Sequence, residues 1–372
     1  MRKLFICRAN KPLILWIDHS LGGGTEAYSK AQFQNLKSKY QIMRVQFWPN
    51  TNMFHVTDTR NNHIMIQSDS LNQITEQCHN MKISEIVVNN LVGYNDSLEI
   101  LQWVKHIKHT HKNAPRVSFR LHDFQCICPS FNLIDNHGKY CGGGKNRDCE
   151  TCWKHKRLSD INEADKILKS GADKICDWRC QWRNFLDNTA DDIIAFSASS
   201  ANLLTSIYPT VAHKVNIIPH TVKSYPYPKI KPHDEINIIV LGNISYPKGA
   251  NVIKQMASEL HKYQNVNIVV VGKMPDAPEN ILVHGSYNPK HLPNIMQKYN
   301  ADIVFISSIW PETFSYTTSE AMSMGLAVAC YNMGAPAERI KNYTHGLVLD
   351  KIDPSKNLMQ IIQFAKSCKE TP

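Results

Sequence analysis

Two glutamates, Glu312 and Glu320, stand eight residues apart within Pro311-Glu312-Thr313-Phe314-Ser315-Tyr316-Thr317-Thr318-Ser319-Glu320-Ala321-Met322. The spacing puts Glu312 in a loop and Glu320 about two turns into the following helix, on the side that carries Tyr316. A carboxylate accepts paired hydrogen bonds from vicinal hydroxyls such as those of a ribose or a sugar ring. The small and apolar neighbours argue against two merely solvated glutamates. A second segment, Gly242-Asn243-Ile244-Ser245-Tyr246-Pro247-Lys248-Gly249, sets Lys248 near a predicted helix start, where it would neutralise a diphosphate. A solvated surface lysine is the plain alternative. In Gly22-Gly23-Gly24-Thr25-Glu26 the glycines allow close backbone approach to a ligand at a helix N-terminus, or simply make a tight turn. The pattern is neither the G-x-G-x-x-G dinucleotide fingerprint nor a Walker loop. His122-Asp123 supplies a group able to exchange a proton near neutral pH, although a structural role is the default for any one of 17 histidines.

Each of these segments follows a predicted strand. Leu13 to Asp18 reads as a strand, then a glycine turn, then a helix from Ala27 to Lys39. Strands are expected at 85–89, 117–121, 192–197 and 215–218, with helices at 97–109 and 199–208. Pro219, Pro226, Pro228 and Pro232 then crowd into 14 residues, which favours an extended, stiff connection. Beyond it, strands at 236–241, 266–271, 301–306 and 327–331 alternate with helices at 250–263, 289–299 and 315–324. Such alternation implies a parallel sheet covered by helices on both faces. The expected organisation is α/β: a first doubly wound domain over 1–222, a linker over 223–234, and a second doubly wound domain over 235–372. Ligands of such sheets bind outside the carboxyl ends of the strands, and two such domains make a cleft between them.

Length and charge agree with this. The 372 residues suit two domains, and 42% hydrophobic with 20% charged residues excludes a disordered chain. The net charge of +10 favours anionic partners. No apolar run approaches the roughly 18 residues that span a bilayer. Arg2 and Lys3 resemble the start of an export signal, but Arg8, Asn10 and Lys11 interrupt its core, so a cytoplasmic location is expected. The helix near 97–111 sets Lys105, His106, Lys108 and His109 beside an apolar face with Trp103. That pattern fits either an anionic membrane surface, with peripheral binding at its inner face, or a solvated side over a core-packed stripe.

Seven of the 11 cysteines lie between Cys126 and Cys180. Within an otherwise aperiodic stretch, 124–157, Cys128-x12-Cys141-x7-Cys149-x2-Cys152 offers four thiols, with Cys126, Cys176 and Cys180 as substitutes. Four thiolates would suit a structural Zn(II), or the group is a thiol cluster without metal. Gly142-Gly143-Gly144-Lys145 reads as a turn rather than a phosphate loop.

Taken together, the Glu312-x7-Glu320 element with Pro311, Phe314 and Ala321-Met322, the Gly242…Lys248-Gly249 loop, Gly22 to Glu26 and Ile218-Pro219-His220 resemble the retaining family-4 glycosyltransferases, the glycosyl transferases group 1 of the GT-B fold. The likeness runs over nearly the whole chain. The cysteine stretch is similar to an insertion in bacterial polysaccharide glycosyltransferases. The resemblance implies transfer of a sugar from a nucleotide diphosphate sugar to a saccharide or lipid-linked acceptor, with retained anomeric configuration and no catalytic metal. It implies that Glu320 holds the donor ribose, that Glu312 and His122 act beside the reacting carbon, and that Lys248 meets the diphosphate. Gly23, Gly24, Gly242, Asn243, Phe314 and Ser315 would complete the donor site. Many relatives carry Arg where this chain has Asn243, so one phosphate contact is uncharged. That departure keeps open a non-catalytic relative that only binds nucleotide or glycan. The charge and the thiols leave a zinc-dependent nucleic-acid binder as a further alternative, although no nucleic-acid partner is expected with the thiols inside a domain beside the predicted cleft.

Overall fold

A computed structural model describes residues 11–79, 81–144, 148–155 and 175–370. The export-signal residues Arg2, Lys3, Arg8 and Asn10, and Lys145 of the glycine turn, lie outside these described residues.

Leu13–Asp18 forms β1, with all six residues buried. Its even-numbered and odd-numbered apolar side chains enter different cores: Leu13, Leu15 and Ile17 pack on one face of the sheet, Ile14 and Trp16 on the other. A strand covered on both faces needs a continuous apolar run, which is what the sequence has. The strands β2 (Gln41–Trp48), β3 (Met53–Asp58), β4 (His63–Ser68), β5 (Ile83–Val88), β6 (Arg116–Leu121), β7 (Asp192–Ala195) and β8 (Val215–Ile217) complete an eight-stranded sheet, ordered β4-β3-β2-β1-β5-β6-β7-β8. The pairs from β2 through β8 by way of β1 are parallel. The edge is not: β2, β3 and β4 form an antiparallel meander. Short connections, Pro49 to Asn52 and Thr59 to Asn62, allow only hairpins there.

Six helices accompany this sheet among the described residues: α1 (Gly23–Leu36), α2 (Leu71–Cys78), α3 (Ser97–Thr110), α4 (Cys149–Lys154), α5 (Ile175–Asn188) and α6 (Ala198–Ile207). Helix α1 begins four residues before the expected Ala27, because Gly22, at φ 79°, turns the chain directly into the helix. Asp96 caps α3, accepting from the Leu98 and Glu99 amides. The apolar face of α3 is spent on the core: Leu98, Ile100, Leu101, Trp103, Val104 and Ile107 are all buried, and Trp103 Nε1 donates to Thr75 Oγ1 at 2.7 Å. Lys108 is tied to Thr189 O and Asp191. No helix among the described residues is long and apolar enough to cross a membrane.

The second sheet is parallel throughout, ordered β11-β10-β9-β12-β13-β14 from β9 (Ile236–Leu241), β10 (Val266–Val271), β11 (Leu282–Val283), β12 (Ile303–Ile306), β13 (Ala327–Tyr331) and β14 (Gly346–Leu349). Again the faces alternate, Ile238 and Val240 into one core, Ile239 and Leu241 into the other. The helices are α7 (Ala250–Glu259), α8 (Leu292–Lys298), α9 (Tyr316–Ser323), α10 (Gly334–Ile340) and α11 (Pro354–Glu370). The expected 301–306 strand loses its first two residues because Ala301 N closes the preceding helix on Met296 O.

Candidate active site

Both sheets reverse their strand order at adjacent strands, β1 beside β5 and β9 beside β12, and the carboxyl ends at these points face one another. From the first sheet come Asp18 at the end of β1, Asn89 and Asn90 after β5, and His122 and Asp123 after β6. From the second come Gly242 after β9 and Ser307 and Ser308 after β12. Between them lies a cavity of about 390 Å³, lined by Gly22, Gly24, His122, Lys248, Glu312 and Phe314 among others.

The Lys248 loop is fixed by its glycines. Gly249 has φ 86°, and a Cβ there would stand 2.1 Å from Ser307 O. That close approach lets Ser307 Oγ donate to Lys248 O at 2.6 Å. The Lys248 ammonium reaches across to Glu312 Oε2 at 2.8 Å. Ser308 Oγ donates to the other oxygen of Glu312, which is buried. Gly334 packs on this loop so tightly that a Cβ would meet Pro311 and Glu312 backbone at 2.6–2.7 Å, and Ala335 N donates to Glu312 O. Two residues singled out separately in the sequence thus form one ion pair on the cleft wall. An incoming anion would share Lys248 with Glu312.

Ser315 caps α9 through Thr318 N. Glu320, half-buried on that helix, has its carboxyl pushed above the usual range by burial. Its charge in turn acts on Tyr225, Tyr287 and Tyr316. Glu320, Ser315, Gly242, Asn243 and Gly23 lie outside the lining of the 390 Å³ cavity, so of the residues expected at a donor site only some line it. Asn243 is exposed, and above Gly23 there is open space. Gly24 faces the other domain instead: a Cβ would be 3.3 Å from the Tyr316 ring.

The His122 ring bonds through Nε2 to Asn89 Oδ1 at 3.0 Å and is packed by Tyr28, Phe196 and His220. Burial, with His220, His19 and Arg120 nearby, holds it well below the ordinary imidazole range, so it is neutral at pH 7. Burial pushes Asp123 up to about 6, against the pull of the Gln125 amide and the Asn90 side chain. His220 is stacked between Tyr28 and Phe314 at 4.7 and 4.4 Å, bonds Tyr316 OH through Nδ1 at 2.8 Å, and is held down to about 3 by burial. Thr313 Oγ1 donates to His122 O at 2.7 Å. These contacts join the two walls directly.

Several residues here were not singled out by sequence: Asp18, Asn89, Asn90, Asp123 as a buried acid, and Trp310, which also lines the cavity. Their shared signal is position, each near the carboxyl end of a strand or in the loop beyond one.

Cys128, Cys141, Cys149 and Cys152 line one cavity of about 330 Å³. Cys141 is pushed up by burial and by the Cys128 and Cys149 thiols. Cys128 and Cys149 take protein partners: Cys128 Sγ lies 3.3 Å from Ser130 Oγ, and Arg179 Nη2 donates to Cys149 Sγ at 3.5 Å. Among the described residues no three His, Cys, Asp or Glu side chains converge as a group that could hold a metal ion. The expected zinc set is gathered into one cavity but not into a coordination sphere. Cys126 is fully buried apart from it, and Cys176 and Cys180 are exposed.

Residues 224–371 match the family described as Glycosyl transferases group 1. This segment belongs to the group 1 glycosyl transferases. Sucrose synthase 2 of Pisum sativum is 33% identical over 79 residues, 21% of this chain and 10% of that protein, so the match spans a tenth of its relative. Solved structures extend the likeness to the whole fold. HepE of Anabaena, in complex with UDP-glucose, superposes with a TM-score of 0.61 at 14% identity over 96% of this chain and 91% of its own. Sucrose-phosphate synthase of Thermosynechococcus elongatus gives 0.61 at 12% over 96% and 90%. The lipopolysaccharide outer core galactosyltransferase WaaB gives 0.60 at 11% over 95% and 90%. At these identities the likeness shows the fold, GT-B. The group 1 segment contains Lys248, Glu312 and Glu320; Gly22 to Gly24 and His122 belong to the other wall.

Proposed function

We propose that this chain is a retaining glycosyltransferase that moves a sugar from a nucleotide diphosphate sugar to a saccharide or lipid-linked acceptor, in building a cell-surface polysaccharide or glycolipid. The observation that carries the reading is the Lys248–Glu312 pair facing Gly22, Gly24 and His122 across one cleft. UDP-glucose in HepE and the galactosyltransferase activity in the name of WaaB support it by analogy. The second domain would hold the donor, with Glu320 on the ribose hydroxyls, and the first domain the acceptor.

Lys248 would neutralise the diphosphate as the bond from the anomeric carbon to phosphate oxygen breaks. A buried Glu312 engaged by Lys248 and Ser308 is a poor nucleophile, which argues against a covalent glycosyl intermediate. Retention then requires attack on the face the leaving group departs from. The acceptor oxygen bonds the anomeric carbon, and its proton passes to the departing phosphate oxygen. The cross-domain contacts hold donor and acceptor walls at a fixed separation.

Purified protein offered a panel of nucleotide sugars should release nucleoside diphosphate. Lys248→Gln should slow that release by about a hundredfold or more and weaken diphosphate binding more than nucleoside binding. No turnover on any donor, with nucleotide still bound, would favour the second reading, a binding relative. The exposed, uncharged Asn243 is the observation behind that alternative.

A further inference from the structure

We propose that Asn89, anchored by Asp18, is a positioning residue that fixes His122 as its Nε2-protonated tautomer, so that an unprotonated Nδ1 meets the cleft and can only accept a hydrogen bond. The tautomer rests on the protein's own contacts. Only the identity of the group it accepts from, a sugar hydroxyl, rests on the glycosyltransferase reading.

Three strand ends make the device. Asp18 closes β1, Asn89 follows β5, which pairs with β1, and His122 follows β6, which pairs with β5. Asn89 is fully buried, and its backbone N–H donates to Ile17 O at 2.8 Å. Its side-chain Nδ2 lies 3.0 Å from Asp18 Oδ1 and 3.1 Å from Ser29 Oγ. Ser29 Oγ spends its own hydrogen on Asp18 Oδ2 at 2.7 Å and accepts from Trp16 Nε1 at 3.2 Å. Toward Asn89, both Asp18 and Ser29 therefore offer only lone pairs. Reversing the amide would aim its oxygen at a carboxylate and at a hydroxyl with no hydrogen left to give. The orientation of Asn89 is thus set by chemistry rather than by assignment.

With Nδ2 fully used, Oδ1 is the atom left for His122, and Nε2 stands 3.0 Å from it. An amide oxygen cannot donate, so Nε2 must carry the proton. Because His122 is held neutral, its single proton is then accounted for and Nδ1 is bare. Nδ1 is not among the side-chain nitrogens sealed away from solvent without a partner, and His122 lines the cleft. Burial and the nearby Arg120 cation both oppose a second proton on the ring. Asp18 is itself held in place by Arg44 Nη2 at 2.6 Å, so the chain of contacts ends on a buried ion pair.

The consequence is selectivity. A hydroxyl can turn its hydrogen toward Nδ1. An ether oxygen, or a substrate carboxylate at that position, would meet a lone pair.

The test is long-range proton–nitrogen NMR on the full chain with labelled histidine, using His122→Gln to identify the His122 signals. Between pH 6 and 8 the protein should show one His122 tautomer, with Nε2 protonated. An Nδ1-protonated ring, or an imidazolium at pH 7, overturns the proposal. Asn89→Ala should give a mixture of both tautomers and lower kcat for the accepted donor about tenfold, the size of one hydrogen bond. Affinity for UDP, GDP and ADP, measured in parallel, should not change. Equal losses in all three affinities and in kcat would mark Asn89 as merely structural and overturn the proposal. If Asn89→Ala does not fold, the wild-type spectrum alone decides. If none of the three nucleotides binds the wild type, the glycosyltransferase reading fails while the tautomer still stands or falls on the spectrum.

Discussion

Glu320, the proposed ribose ligand, shows how a residue placed for binding can cost stability. Its carboxyl is raised by burial, so the folded chain resists its ionisation. For a raised carboxyl, the stabilisation is present below the unfolded value near 4.5 and is lost as pH rises through the folded one. At neutral pH the ionised group is therefore a burden that bound ribose hydroxyls would relieve. Glu320→Gln should melt at a higher temperature than the parent at pH 7 without ligand, while nucleoside diphosphate affinity falls about tenfold or more. Scanning calorimetry and titration calorimetry read the two effects separately; a lower melting temperature would refute the account.

The cleft histidines have the opposite sign. His122 and His220 are depressed, His220 to about 3, so they support the fold above the unfolded value near 6.5 and withdraw support as pH falls toward the folded value. Asp123, raised to about 6, opposes this over the narrower span down to its ordinary value of 3.8. The net expectation is a melting temperature that drops between pH 6.5 and 4. His220→Phe keeps the stack between Tyr28 and Phe314, loses the bond to Tyr316, and should make that drop shallower, although its melting temperature at pH 8 is lower. An unchanged slope would remove His220 from the explanation.

Among the elements, the loop after β9 depends on one glycine. Gly249 combines a left-handed φ of 86° with a 2.1 Å approach of its would-be Cβ to Ser307 O. Neither strain nor overlap can be relieved by a side-chain rotation, because the opposing atom is backbone. Gly249→Ala should destabilise the chain by about 2 kcal/mol or more and displace Lys248 from Glu312. Denaturant unfolding and diphosphate affinity check the two halves of this prediction. Strands β9, β10, β12 and β13 were legible from their apolar runs because side chains of each enter both cores of the sheet, whereas the exposed β11 and the half-buried β14 write no such run. The β2–β4 meander was not: its β4 has no buried apolar residue and its alternation is broken. Helices α5 and α10 were also not anticipated. Gly334 and Pro336 disguise α10, whose first residue is chosen for its approach to Pro311 and Glu312.

Across the whole molecule, the cysteine-rich insertion is more than a decoration of the first domain. Ile134 within it is buried in the core of the second sheet, alongside Ile244 and Ile309. Tyr246 OH, in the Lys248 loop, donates to Gly138 O at 2.9 Å. On the far side Glu338 of α10 accepts from the Ala198 and Ser199 amides at 3.0 and 2.7 Å, at the start of α6. The domains are therefore clasped on both sides of the cleft. Ile134→Ala should cost about 2–4 kcal/mol and loosen the Lys248 loop, seen as a lower melting temperature together with faster proteolysis between the domains. A loss of stability with no change in proteolysis would mean that Ile134 supports only its own loop.

By itself the sequence determined the two-domain α/β plan, because buried parallel strands write continuous apolar runs and a proline cluster interrupts the chain between them. It also marked Lys248, Glu312 and Glu320, since glycines beside helix starts and spaced carboxylates are local patterns. Tertiary structure alone decided which of these meet. Lys248 and Glu312 form a pair only because β9 and β12 are neighbours, and Asn89 reaches Asp18 and His122 only because β5 lies between β1 and β6. It also decided that the four insertion thiols share a cavity, with Cys128 and Cys149 bonding to protein groups. Strand order and side-chain partnership are long-range properties, set by how whole faces bury against one another rather than by spacing along the chain.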